Sequence, residues 1–342
     1  MKKVVITGGA GFIGSHTAIE LCKAGYLPVV VDNFGASDRR LIGRVREITG
    51  TEFPVHEVDC RDRAALRRVF DVEGECFGVI HFAAHKAVGV SGPEALAYYD
   101  NNVGSLLALI ATMSAVGLRR LVFSSSATVY GQAEELPVTE ATPTQPAESV
   151  YGRTKQVCEL VIADTAASRT PLEAVTLRYF NPVGAHPSGR IGELPIGRPE
   201  NLVPFITQTA IGLRDQLTVF GADYPTVDGT CTRDYIHVVD LAKAHVAALD
   251  WLGKQTKTAF NEIFNVGTGA ATSVLQAIAA FESASGTKLA YRIGARRPGD
   301  IVESYANVDK ANSELGWRSE LTILDAMRDA WKWQVHLKND PL

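Results

Sequence analysis

The stretch "VYGRTK", Val150 to Lys155, sets a tyrosine four residues ahead of a lysine. That spacing puts both side chains on one face of a helix. Taken alone, the pair is equally a solvated helix turn. A second stretch gives it another meaning: "LVFSSSATVYG" ends an apolar, strand-forming run in three serines, and Ser126 precedes Tyr151 by 25 residues. A helix following that strand can bring Tyr151 and Lys155 beside Ser126. A free tyrosine ionises near about pH 10, and a neighbouring ammonium or cationic ring favours the phenolate. Such a tyrosine takes a proton from a hydroxyl while hydride leaves the same carbon.

These residues need a scaffold, and the first half of the chain supplies its pattern. Short apolar, β-branched runs at Val4–Thr7, Leu27–Val31, Phe53–Val58, Gly78–Phe82, Arg120–Ser124 and Leu172–Arg178 alternate with helical patterns such as Ser15–Ala24 and Arg63–Phe70. Runs such as "PVVV" and "GVIHF" are apolar on both faces, as in a buried parallel sheet. The β-α rhythm predicts an α/β fold, a Rossmann-like doubly wound parallel sheet with right-handed crossovers. After about Gly184, proline and glycine become frequent ("AHPSGRIGELPIGRPEN") and strands such as Leu217–Phe220 are short. Helices are expected at Val239–Leu252, Thr272–Ser285 and Ile323–Val335. Residues 1–183 are therefore expected to form a nucleotide-binding domain, and 184–342 a smaller mixed lobe with some elements returning to the first.

The first strand runs into "ITGGAGFIGSH", which holds Gly9-x-Gly11-x-x-Gly14 and opens a helix. In that context the motif is a dinucleotide fingerprint, with amides of the helix N-terminus facing a pyrophosphate. The second strand ends in "VVVDN", where Asp32 lies 18 residues after Gly14, suited to an adenosine ribose. A carboxylate there repels a 2′-phosphate, which favours NAD over NADP. Arg39 and Arg40 follow in a loop and are expected to be solvated.

The formal net charge of −4, without a long basic run, argues against nucleic acid or an anionic membrane as partner. The apolar start stops at Ile6, too early for a signal peptide, and Leu106–Leu118 is too short and too interrupted to span a bilayer. Five scattered cysteines without C-x-x-C spacing read as reduced thiols of a cytoplasmic protein. His81 and His85 lack a third ligand nearby, so no metal is expected.

Glycine motif, serine strand and Tyr-x-x-x-Lys together resemble the extended short-chain dehydrogenases/reductases and, within them, the UDP-hexose 4-epimerases. The likeness continues through "RYFNPVGAHPSG", "NLVPFI", "GTCTRDYIHVVDLA" and "RRPGD". It implies Ser126, Tyr151 and Lys155 as catalytic residues and a tightly held NAD. The implied cofactor positions are Gly8, Gly9, Gly11, Phe12, Ile13, Gly14, Asp32, Asn33, Asp59, Cys60, Phe82, Ala83, Lys86, Asn101, Ser124 and Phe180, with Tyr151 and Lys155 also touching the cofactor. Cys60 stands where the family has an aliphatic residue. A UDP-hexose falls to Lys86, Asn181, Asn201, Leu202, Arg233, Tyr235, Arg297, Asp300 and Ser304, besides Ser126 and Tyr151. The two arginines suit a diphosphate through forked, charge-assisted bonds, and Asp300 suits the uridine ribose.

The resemblance further implies a hidden redox cycle. The sugar is oxidised at C4 to a ketone, turns about its diphosphate, and is reduced on the other face. It also implies a homodimer. In the family, the residue four after the aspartate of "RRPGD" lines the pocket at the sugar's 2-substituent; here it is Ser304, which predicts that N-acetylated UDP-sugars enter too. Two rivals remain at this stage. An NDP-sugar 4,6-dehydratase carries an Asp-Glu pair directly after the strand's serine or threonine, where this chain has Ala127 and Thr128. A non-catalytic NAD sensor usually lacks the tyrosine or lysine.

Overall fold

The structure is a computed structural model that describes residues 1–86, 94–168, 171–297 and 300–342. Its strands are β1 (Lys2–Thr7), β2 (Tyr26–Asp32), β3 (Val55–Glu57), β4 (Gly78–His81), β5 (Arg120–Ser124), β6 (Glu173–Tyr179), β7 (Asn181–Val183), β8 (Leu217–Phe220), β9 (Thr232–Arg233), β10 (Tyr235–His237), β11 (Phe260–Val266), β12 (Thr272–Ser273), β13 (Tyr291–Gly294) and β14 (Glu303–Ser304). The helices are α1 (Phe12–Lys23), α2 (Arg40–Thr49), α3 (Arg63–Glu73), α4 (Ala95–Tyr98), α5 (Gly104–Ala115), α6 (Val150–Ala167), α7 (Leu202–Ala210), α8 (Val238–Lys254), α9 (Val274–Ser285) and α10 (Ile323–Asn339).

Seven strands form one parallel sheet in the order β11-β6-β5-β4-β1-β2-β3. The order reverses between β1 and β4, and the crevice beyond their C-terminal ends is where such sheets bind ligands. Val4, Ile6, Val30, Ile80 and Val122 face a core layer with α1, α2 and α8, whereas Val5, Val29, Val31, Val79 and Leu121 face another with α3, α5 and α6. This two-sided burial is why those strands read apolar throughout.

The doubly wound sheet and the smaller mixed sheets agree with the sequence reading, with local corrections. The strand β11 and the helix α8 return to the main sheet, β11 pairing along its whole length with β6. "FNEIFNV" escaped notice because Asn261, Glu262 and Asn265 interrupt its apolar pattern. Thr272 and Ser273 form a short strand and not the first turn of a helix. Ser273 instead caps α9 through a capping box with Gln276.

After β6 the chain builds small sheets over the crevice: β7 with β10, β12-β9-β14, and β8 with β13. Asp234, between β9 and β10, is fully buried and binds them together. Its Oδ1 accepts bonds from the Thr268 amide and hydroxyl, both at 2.7 Å, and its Oδ2 accepts from the amides of Gly269 (3.0 Å) and Ala306 (3.3 Å). The Asp234 amide donates to the Ser304 carbonyl, and its own carbonyl accepts from the Asn181 amide. The main chain of Asp234 thereby fixes Asn181 and Ser304 beside Arg233, and its carboxylate ties this junction to residues 268, 269 and 306. Replacing Asp234 with Ala strips four donors of their acceptor. A loss of about 3 kcal/mol or more is expected in chemical denaturation.

Candidate active site

The site begins at the loop after β1. Gly8 adopts φ +69°, and a Cβ there would lie 2.7 Å from the Ala83 amide nitrogen. The loops after β1 and β4 thus touch at the switch point, which only glycine allows. A Cβ on Gly14 would fall 2.3 Å from the Gly8 carbonyl oxygen, whereas one on Gly11 would meet only that oxygen, at 3.3 Å, so the backbone face at Gly11 is open. No side chain caps the N-terminus of α1. Phe12 and Ile13 begin this helix, leaving its first amides for an anion. An open glycine face beside uncapped amides fits the pyrophosphate of NAD.

At the end of β2, Asp32 is buried and already engaged. Its Oδ2 accepts from the Ala10 amide (3.0 Å), and its Oδ1 from the Phe34 amide and the Ser37 hydroxyl (both 2.9 Å). The carboxylate therefore shapes the glycine loop as well as offering its remaining acceptor capacity to a ribose. Arg39 pairs with Glu57 over the Phe34 ring, and Arg40 pairs with Asp38. Both arginines are exposed, as expected, and each also pairs with an acid. Arg61 grips Asp59 through Nε and Nη2, and these bonds hold its carboxyl down at about 2. Asn33 reaches the same carboxylate, and Cys60 is buried next to it. Phe82 packs against the His245 ring of α8, their centroids 4.6 Å apart.

The catalytic end is assembled by α6. Ser149 caps the helix by accepting from the Gly152 amide at 3.1 Å, which fixes Tyr151 and Lys155 in its first turns. A Cβ on Gly152 would sit 3.2 Å from the Thr128 carbonyl, so glycine lets α6 close on the turn after the serines. Tyr151 is buried, and the side chains of Ser126 and Tyr179 act on its phenol. Lys155 Nζ donates to the Ser124 carbonyl at 2.7 Å and lies 5.7 Å from the centre of the Tyr151 ring. Burial pushes the Tyr151 phenol well above its usual value; Tyr179 adds to the rise and Ser126 opposes it. Burial also pushes Lys155 down to about 8.

The substrate-side residues fall into two groups. Lys86 and Asn201, from opposite halves of the chain, both donate to Glu193 Oε1, at 2.8 and 2.6 Å. Leu202 opens α7 just after Asn201. Arg297 binds Asp300 through Nε and Nη2 at 3.1 and 3.0 Å, and Arg233 lies 4.0 Å from the same carboxylate. The structure therefore brings both arginines together around Asp300; Pro298 and Gly299 of that motif lie outside the described residues. Arg297 also stacks on Phe220 of β8. Tyr235 is buried beside these arginines, and Asn181 pairs with it across the β7–β10 register. Phe180 is buried with Val129, Tyr130, Val138 and Ala306. Ser304 is in register with Arg233.

Several participants were missed from sequence. Asn102, next to the expected Asn101, is buried, accepts from the His85 amide, and donates to the His85 carbonyl and the Thr154 hydroxyl. It ties the loop after β4 to the catalytic helix. Nothing in the spacing separates it from Asn101, whose Nδ2 donates to it. Glu193 carries no motif, and Tyr179 sits in "RYFNPVGAHPSG" without being singled out. His245 is hidden in an apolar helix; its Nε2 lies 3.4 Å from the Ser124 hydroxyl, and burial pushes it down to about 4.

The sequence model described as GDP-mannose 4,6 dehydratase matches residues 5–330. The chain is 49% identical to UDP-glucose 4-epimerase of Mus musculus, over 98% of this chain and 97% of that one. It is 46% identical to that of Neisseria meningitidis serogroup C, over 100% and 98%. Among solved structures, UDP-glucose 4-epimerase of Bifidobacterium longum in complex with NAD+ and UDP superposes with a TM-score of 0.93 at 46% identity, covering 99% of both chains. The UDP-Glc/GlcNAc 4-epimerase of Campylobacter jejuni does so with 0.84 at 32% identity, over 98% of this chain and 100% of that one. With a catalytic helix, glycine cradle and paired arginines arranged as described, the chain belongs to the UDP-glucose 4-epimerase family of extended short-chain dehydrogenases/reductases.

Proposed function

We infer that the protein interconverts UDP-glucose and UDP-galactose by inverting C4 through a transient 4-keto sugar. The observation that carries this is the convergence of Tyr151, Ser126 and Lys155 at the end of β5, within the switch-point crevice. NAD bound along the glycine cradle supplies a hydride carrier at C4 and a cationic ring beside the phenol. Tyr151 holds and moves the proton of the sugar's O4. Ser126, beside Tyr151, shares that oxygen. Lys155, fixed on the Ser124 carbonyl, keeps the phenol's surroundings positive. Arg233 and Arg297 exchange Asp300 for the diphosphate of the substrate, while Asp300 turns to the uridine ribose. Residues after 184 thus grip the nucleotide and leave the hexose free to turn.

The 4,6-dehydratase reading fails on chemistry: elimination across C5 and C6 needs an acid and a base, and Ala127 and Thr128 supply neither. Support for a pocket open to N-acetyl groups comes from Ser304. Ala306, two residues on and so on the same face, packs against Phe180 and Tyr130. A serine on that face leaves room that a tyrosine would fill.

In the outer helical layer, Leu107 of α5 and Leu160 of α6 are 50% and 63% exposed, and these helices are the face through which two copies pair. The described cysteines are all free, consistent with a reducing cytoplasm.

Proton NMR of UDP-galactose with the protein, without added cofactor, is expected to show UDP-glucose accumulating to equilibrium. Tyr151→Phe is expected to lower the rate by about a thousandfold while NAD stays bound. An unchanged rate would remove Tyr151 from the chemistry. Ser304→Tyr is expected to cut turnover of UDP-GalNAc by about a hundredfold and to spare UDP-galactose; equal effects on both would reject the pocket. Leu107→Glu with Leu160→Glu is expected to give a monomer by light scattering, against a dimer for the parent.

A further inference from the structure

Behind the serine turn lies an ion pair that the chemistry above does not use. Glu159 is one turn beyond Lys155 on α6, and Arg178 is on β6. The Arg178 Nη2 and Nε donate to Glu159 Oε2 at 2.7 and 3.2 Å, Nε also reaches Oε1 at 3.1 Å, and the Ser125 hydroxyl donates to that Oε1. Glu159 is 8% exposed and Arg178 5%. Burying two charges is costly, and apolar side chains of similar size usually stabilise as well or better. Stability alone therefore gives no reason for this pair.

Its placement does. The Arg178 guanidinium lies over the Tyr130 ring, 4.9 Å from the centroid. Glu159 follows Lys155 by four residues on one helix, and its Oε1 accepts from the hydroxyl of Ser125, the residue next to the one whose carbonyl holds the Lys155 ammonium. Lys155 is 3% exposed, and among the described residues its ammonium has one hydrogen bond, to the Ser124 carbonyl, and the faces of Phe123 and Tyr151. From the packed elements, it faces His81 of β4 and His245 of α8, which burial keeps neutral, down at about 3 and about 4. On its own helix it faces Tyr151, a neutral phenol, and Cys158, whose thiol burial pushes up to about 11. Burial lowers Lys155, opposed by the fields of Cys158 and Glu159. With Cys158 uncharged at neutral pH, Glu159 is the anion left among the described residues.

We propose that Glu159 is a positioning residue of the active site, whose carboxylate, fixed by Arg178 and Ser125, keeps Lys155 an ammonium in a water-free setting. This rests on reading Lys155 as catalytic, but the charge of Lys155 is measurable without turnover. The same bonds tie the serine turn to α6, so Glu159 also sets the spacing of Ser126 and Tyr151.

The test is an NMR titration of the lysine ammonium groups in the 15N-labelled full chain with bound NAD, the Lys155 signal assigned by Lys155→Met. Glu159→Gln is expected to lower the Lys155 midpoint by about one pH unit or more. Lys155 then loses its proton at lower pH, so the alkaline limb of kcat falls by the same amount while KM changes less than about twofold. Glu159→Asp, which keeps the charge, is expected to retain the parent midpoint. The double variant Glu159→Leu with Arg178→Met replaces the pair by apolar side chains and is expected to fold with a parental Tm, yet to show the lowered midpoint. A folded double variant with the parent midpoint would overturn the proposal, because a purely structural pair moves Tm and leaves Lys155 unchanged. Loss of turnover in the parent would instead count against the epimerase reading, and the titration would still decide the role of Glu159.

Discussion

The structure depends on keeping an ammonium and a phenol side by side where water does not reach. Lys155 and Tyr151 are both buried at the first turns of one helix, and each departs from its ordinary ionisation mainly because of that burial. A charge in such a place must be held by fixed dipoles and anions, since solvent cannot rearrange around it. The Ser124 carbonyl supplies one such dipole. The Ser149 cap, the close approach at Gly152 and the bonds of Asn102 to Thr154 and His85 fix the helix against the sheet. Because these contacts come from β5, α6 and the loop after β4, the catalytic geometry is a property of the whole sheet edge.

The substrate end is built on another principle. Its cations are held before ligand arrives: Lys86 by Glu193, and Arg233 and Arg297 by Asp300. Pairing limits the wandering of long side chains and leaves their forks aimed at one region. The small sheets that carry them are joined through the buried Asp234 carboxylate. Charged groups therefore cluster at the end proposed for the diphosphate, while Phe180, Ser304, Ser126 and Tyr151 are the residues proposed for the hexose. A firm hold on one end and a loose hold on the other is what inversion by rotation requires.

The residues that touch a ligand were more legible in sequence than the residues that hold them. Gly9, Gly11, Gly14 and Asp32 have fixed spacing because the backbone turn and the nucleotide have fixed dimensions. Tyr151 and Lys155 stand out because helical geometry sets their interval. Glu159 is legible by the same rule, eight residues after Tyr151, but its partners Ser125 and Arg178 are brought near only by folding. Glu193 and Asp234 act through contacts distant in sequence, so even the motif around Asp234 does not show what its carboxylate holds. The strand β11 was missed for a related reason: Asn265 and Glu262 look polar for a buried sheet, yet Asn265 bonds to the Tyr130 hydroxyl and the Val138 carbonyl, and Glu262 pairs with Lys310.

The central claim is that hydrogen leaves C4 and returns to it inside a site closed to water. The direct measurement is turnover of UDP-galactose carrying deuterium at C4, in ordinary water, with the UDP-glucose product read by NMR and mass spectrometry. Full retention of deuterium at C4 is the predicted result. Replacement of that deuterium by solvent hydrogen would contradict the account.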